Sequence, residues 1–79
     1  MDINNLVHMA NQIGSFFSAY PDRNEALDGI ANHISKFWEP RMRAQLLESI
    51  DQGHTTELSE LVLQALTLHR QALLPVKSH

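Results

Sequence analysis

Cysteine is absent from this chain of 79 residues. A cysteine-ligated iron–sulfur cluster, a zinc site with cysteine ligands and a disulfide framework are therefore excluded. Glycine is also scarce, and the three glycines, at positions 14, 29 and 53, do not form a phosphate-binding loop. A chain of this length is expected to form one small domain over residues 1–79.

Long apolar runs and a large excess of one charge are lacking as well. Six Lys and Arg residues stand against nine Asp and Glu residues, which gives a formal net charge of −3 with no basic footprint for nucleic acid or an anionic membrane. No apolar run approaches the roughly 20 residues that span a bilayer. The first residues have neither the basic nor the apolar segment of a secretory signal. We therefore expect a cytoplasmic protein.

Hydrophobic periodicity predicts an all-α fold. Apolar residues recur at helical spacing, and no segment shows the alternation of a half-buried strand. Turn-forming residues divide the chain near Pro21, Pro40 and Gly53. We predict a small bundle-like domain of four helices, at about residues 2–19, 22–37, 40–52 and 56–73.

The helix ends have recognisable signals. Asp22 is a suitable N-cap for the second helix, Pro40 suits the first position of the third, and Gly53 suits its C-terminal end. Thr55 or Thr56 is expected to cap the fourth helix. The residues after Leu74 are expected to form a short disordered tail.

The second helix contains one residue that disfavours helix. Gly29 lies in its middle and costs about 1 kcal/mol relative to Ala, which a close helix crossing would explain. The apolar face of this helix is predicted to end at Phe37 and Trp38.

The first helix has an apolar surface wider than one neighbour covers. Beside its core-facing stripe, Met9, Phe16 and Tyr20 form a second stripe. A domain this small hides only about 60% of its unfolded surface, so a partner chain is a natural source of further burial. We predict that at least one of these three side chains stays partly exposed in the isolated chain.

Two polar side chains fall on apolar helix faces. His69 lies in the apolar arc of the fourth helix, either as a neutral core histidine bonded to a backbone carbonyl, the favoured interpretation, or as a donor into a partner interface. Arg43 lies in the apolar arc of the third helix, where it either snorkels over Trp38 or projects into a partner as an anchor. Its neighbour Arg41 points elsewhere.

Catalytic and metal-binding patterns are weak. No pair among the five histidines has the spacing of helical metal ligands. His54 lies three residues from both Asp51 and Glu57, but these residues straddle the Gly53 loop, a poor platform for a metal. No residue has the spacing of a nucleophile and its base.

Three segments are more distinctive than a generic helical pattern. They read LVHMANQIGSFFSAYP at residues 6–21, GIANHISKFWEPRMR at residues 29–43 and LVLQAL at residues 61–66. Over roughly residues 4–67, in one register, the chain resembles the delta subunit of soluble NAD-dependent molybdenum or tungsten formate dehydrogenases. The most specific part is the block KFWEPRMR at residues 36–43.

The resemblance implies an enzyme system that oxidises formate to carbon dioxide and reduces NAD. Its large subunit would hold the pterin-bound molybdenum or tungsten and iron–sulfur clusters, and flavin and further clusters would lie on other subunits. This chain would be a non-catalytic accessory subunit or maturation factor that binds the large subunit and holds no cofactor itself. The residue pattern, and not the resemblance, gives the expected partner-binding residues, which are Phe16, Tyr20, Trp38, Arg41, Arg43 and His69.

An unrelated self-associating helical module, such as a regulatory dimer, is the alternative. Uncovered apolar stripes fit both interpretations. A homodimer of the isolated chain would hide the same stripes without identifying the physiological partner.

Overall fold

The computed structural model describes residues 2–53 and 57–74, and all regular secondary structure in these ranges is helical. The helices are α1 (Ile3–Phe17), α2 (Arg23–Phe37), α3 (Pro40–Asp51), α4 (Glu60–Leu68) and α5 (Arg70–Leu73). The all-α prediction is confirmed. The predicted cap at Thr55 or Thr56 and the predicted C-terminal tail lie outside the described residues. None of the described helices is long and apolar enough to cross a bilayer.

The ends of the first three helices follow the sequence signals. Asp2 and Asp22 each accept a hydrogen bond from the backbone N–H two residues further on, at 3.0 and 2.9 Å. Pro40 occupies the first turn of α3, and Gly53 follows α3 with a φ of 74°. Glycine suits that left-handed conformation because it has no Cβ. The predicted roles of Asp22, Pro40 and Gly53 are confirmed.

The fourth predicted helix starts later than expected. α4 begins at Glu60 instead of residue 56, because Ser59 has an extended backbone and its hydroxyl accepts from the backbone N–H of Val62 at 3.3 Å. The side chain of Asn11 holds this approach segment from α1. Its amide donates to the carbonyl of Glu57 at 2.9 Å, and its oxygen accepts from the N–H of Ser59 at 2.8 Å.

The fourth predicted helix is also broken, so the single helix predicted to residue 73 is wrong. The backbone at His69 leaves the helical region, with φ −104° and ψ 21°, and its carbonyl accepts from the N–H groups of Ala72 and Leu73. This tight turn redirects the chain into the short helix α5. As a result Leu73 joins the core, and the side chains of His69 and Arg70 reach α2 and α3.

One core lies between the helices. α2 packs against α1, α4 and α5, and α3 packs against α1 and α5. The largest fully buried side chains are Leu6, Leu27, Ile30, Ile34, Leu46, Val62, Leu66 and Leu73. Gly14 lets α4 come close to α1, because a Cβ at this position would overlap Cγ2 of Val62.

Candidate partner-binding groove

An apolar groove lies on the surface where α1, the end of α2 and the first turn of α3 meet. Its volume is about 660 Å³. Most of its walls are aromatic rings and methionines, and its lining residues are Met9, Gln12, Ile13, Phe16, Phe17, His33, Phe37, Trp38 and Met42. Methionine and aromatic side chains are common in surfaces that accept protein partners.

α1 supplies one wall through two adjacent phenylalanines with different roles. The ring of Phe17 lies over Gly29 of α2, where a Cβ would collide with it. This contact explains why α2 has a glycine in its middle. The sequence predicted a close helix crossing at Gly29, and here the ring of Phe17 leaves no room for a Cβ. Phe16 meets Phe17 edge to face, with ring centroids 5.1 Å apart, but it remains 68% exposed. The prediction of partial exposure on this stripe is therefore confirmed.

α2 supplies the opposite wall, and here the sequence interpretation was wrong. Phe37 was predicted on the core face but is 71% exposed. α2 ends at Phe37, and the extended backbone at Trp38 (φ −91°, ψ 137°) directs the Trp38 side chain inward. Trp38 therefore occupies the core, whereas Phe37 packs on the ring of His33 at a centroid distance of 4.8 Å.

The burial of Trp38 limits its predicted role as an anchor. Trp38 is only 5% exposed and is part of the core, although it also lines the groove. In the free chain Trp38 therefore supports the groove and presents little surface to a partner. Tyr20, by contrast, is 41% exposed. It packs on Phe17 at 5.2 Å but lines a separate depression beside Pro21 and Arg23.

The two predicted arginines of α3 differ in their surroundings. Arg41 is exposed and lines a shallow depression beside Ile3, away from the groove. Arg43 is half-buried, and its Nη1 lies 3.5 Å from the carbonyl oxygen of Ser35 on α2. Its Nε is buried without a hydrogen-bond partner. In the free chain Arg43 therefore contacts the backbone of α2, and its role as a partner anchor stays a prediction.

His69 lies outside the groove. Its Nε2 is 2.8 Å from Oδ1 of Asp28, and its side chain is partly exposed. The favoured interpretation, a core histidine bonded to a backbone carbonyl, is therefore wrong, because the helix break turns the ring towards a surface carboxylate. Next to it, Arg70 makes two hydrogen bonds to Asp51, at 3.0 and 2.6 Å. The two pairs fasten α5 to α2 and α3.

Metal-ligand geometry is not found in the described part of the chain. Within residues 2–53 and 57–74, no three His, Asp or Glu side chains are grouped so that they could hold a metal ion. His54 lies outside the described residues. The carboxylate of Asp51, considered with it from the sequence, pairs with Arg70.

Two contributors to this surface were missed from sequence. Phe37 and His33 are four residues apart on α2 and stack at the end of the helix. Their spacing is a signal for contact, but periodicity alone places Phe37 on the core face. The role of Asn11 was also not predicted, since its bonds to residues 57 and 59 require the tertiary structure.

Comparison with known proteins identifies a family. Residues 5–66 match the family model described as the NADH-dependent formate dehydrogenase delta subunit FdsD. The match covers more than half of the chain and includes every residue that lines the groove. Searches of curated proteins and of solved structures found no significant match.

Proposed function

Because the chain belongs to the family of NADH-dependent formate dehydrogenase delta subunits, we propose that it is a non-catalytic accessory subunit or maturation factor. In this proposal it binds the large catalytic subunit and supports its assembly or the insertion of its cofactor. It acts in the cytoplasm, with the soluble enzyme that the sequence resemblance implies.

The observation that carries this proposal is the apolar groove with exposed rings on both walls. Phe16 and Phe37 are large apolar side chains that remain mostly in water. Neighbouring exposed apolar side chains on a small protein mark interaction surfaces, because their burial against a partner is favourable. The groove also contains residues of the block at 36–43, the most specific part of the sequence resemblance.

The chemistry of the groove supports binding of protein in preference to a redox cofactor. Molybdenum or tungsten pterin and flavin cofactors carry phosphate groups, which proteins hold with cationic side chains, hydroxyls or helix N-termini. The nine described lining residues include no lysine, arginine, serine or threonine. We accordingly propose that the pterin-bound metal, the iron–sulfur clusters and the flavin are held by other subunits, and that this chain holds none of them.

Two measurements test the proposal. The first is the affinity of the purified chain for the separately purified large subunit, and the proposal fails if no binding is detected. The second is the composition of the mature, active enzyme. A stoichiometric chain in that enzyme identifies a permanent subunit, whereas binding only to the cofactor-free large subunit identifies a maturation factor.

Self-association is tested with the same material. Sedimentation of the isolated chain reports whether a homodimer forms. If a dimer forms and the large subunit does not dissociate it, the groove is an interface between copies of this chain and the proposed partner is wrong.

A further inference from the structure

We propose that the groove receives an apolar segment of the large subunit that is flanked by acidic side chains. Apolar side chains of this segment enter between Phe16 and Phe37, and its carboxylates pair with Lys36 and Arg43. The inference rests on the proposed function, since it specifies the chemistry of the partner that the groove binds.

A segment with a net positive charge carries one wall of the groove, although its Arg41 faces the separate depression beside Ile3. Residues 36–43 contain three of the six Lys and Arg residues but only one of the nine Asp and Glu residues, so their net charge is +2. The whole chain carries −3, which leaves −5 for the remaining residues. This segment joins α2 to α3, and three of its members, Phe37, Trp38 and Met42, line the groove. A partner with acidic side chains is therefore attracted to this end of the molecule.

Lys36 is free to bind such a partner, and Arg43 is only weakly held within the chain. Lys36 precedes Phe37, is exposed and makes no hydrogen bond or ion pair with the described residues. Arg43 follows Met42, its one hydrogen bond is a long one, and its Nε is unsatisfied. By contrast, Arg23 and Arg70 are already engaged by Gln64 and Asp51.

The helix dipole accounts for the position of Lys36 but not for that of Arg43. Lys36 lies in the last turn of α2, where a positive charge is favourable without any partner. Arg43 lies in the first half of α3, where the dipole disfavours it, and its buried Nε makes its position costly. Because that Nε has almost no accessible surface, a partner carboxylate pairs with Arg43 through its terminal Nη groups.

The same charge distribution disfavours a second copy of this chain as the occupant. A twofold dimer places the same patch of both copies at one interface. A dimer formed through the groove would bring the two segments at residues 36–43, each with a net charge of +2, close together. Their repulsion favours an acidic segment of a different protein.

The test is a pair of charge reversals in the full chain, with affinity for the purified large subunit measured over a range of salt concentrations. Lys36→Glu should weaken binding about tenfold at low salt, because it replaces an attraction by a repulsion. It should also reduce the dependence of affinity on salt. Arg23→Glu is the matched control, since it makes the same charge change at the other end of α2, and it should alter affinity by less than about twofold.

A second probe is a set of overlapping peptides that tile the sequence of the large subunit. The peptides that bind the wild-type chain, and lose affinity in Phe37→Ser, should combine apolar residues with several Asp or Glu residues. Neutral or basic binding peptides would overturn the inference, as would equal effects of Lys36→Glu and Arg23→Glu. In either case wild-type binding to the intact large subunit would leave the proposed function standing, whereas no wild-type binding would refute that function itself.

Discussion

Replacing Phe16 and Phe37 together with serine should remove most of the affinity for the large subunit. The two side chains are 68% and 71% exposed in the free chain. Complete burial of a phenylalanine contributes about 1.5–3 kcal/mol, so about two thirds of that, or about 1–2 kcal/mol, remains for each ring to gain in a complex. The double variant should lose about 2–4 kcal/mol of binding free energy, a weakening of about 30- to 1,000-fold.

The fold should tolerate this change, because little of either ring is buried in the free chain. Thermal unfolding of the double variant should shift by only a few degrees, through loss of the ring contacts with Phe17 and His33. Affinity is measured by titration calorimetry with the purified large subunit. Leu68→Ser is the control, since Leu68 is 62% exposed on α4 and does not line the groove. The reasoning would be refuted if the double variant bound with wild-type affinity while Leu68→Ser bound more weakly. That result would place the interface on α4.

Three further predictions concern the contacts that hold the helices together. Gly14→Ala should lower the free energy of unfolding by up to about 2 kcal/mol in urea titrations, because an overlap with the buried Val62 that costs about 1–3 kcal/mol outweighs the helix-propensity gain of about 1 kcal/mol; a more stable variant would contradict this. Asn11→Ala should cost about 1–2 kcal/mol, since it removes two hydrogen bonds to the start of α4, and an unchanged melting temperature would be the contrary result. Arg70→Ala should cost about 0.5–1 kcal/mol at low salt through its pair with Asp51, and the difference from wild type should shrink at high salt.

The sequence is sufficient for the helices whose ends are local events. Asp22, Pro40 and Gly53 act through the backbone next to them, so their identities determine where α2 begins and where α3 begins and ends. The segment before α4 is also held by Asn11, which is distant in sequence, and the break at His69 is accompanied by side-chain contacts with α2 and α3. Periodicity does not reveal such tertiary contacts, and it therefore predicted one continuous helix.

Only part of the candidate site could be predicted from the sequence, because the rest also depends on the tertiary structure. The excess width of the apolar surface on α1 is a local property, and it led to the exposed Phe16. Which of two adjacent aromatic residues enters the core at the end of α2 depends on the backbone at Trp38. The sequence therefore located the aromatic block at residues 36–43 but placed both Phe37 and Trp38 on the core face, whereas only Trp38 is buried.

The central claim, that the groove contacts the large subunit, is tested most directly by site-specific photo-crosslinking. A photoreactive phenylalanine analogue placed at Phe37 replaces an exposed ring by a similar one, and the same analogue at Leu68 reports on the surface of α4. After co-expression with the large subunit and irradiation, the account predicts a crosslink to that subunit from position 37 and none from position 68. A crosslink from position 68 alone would contradict it.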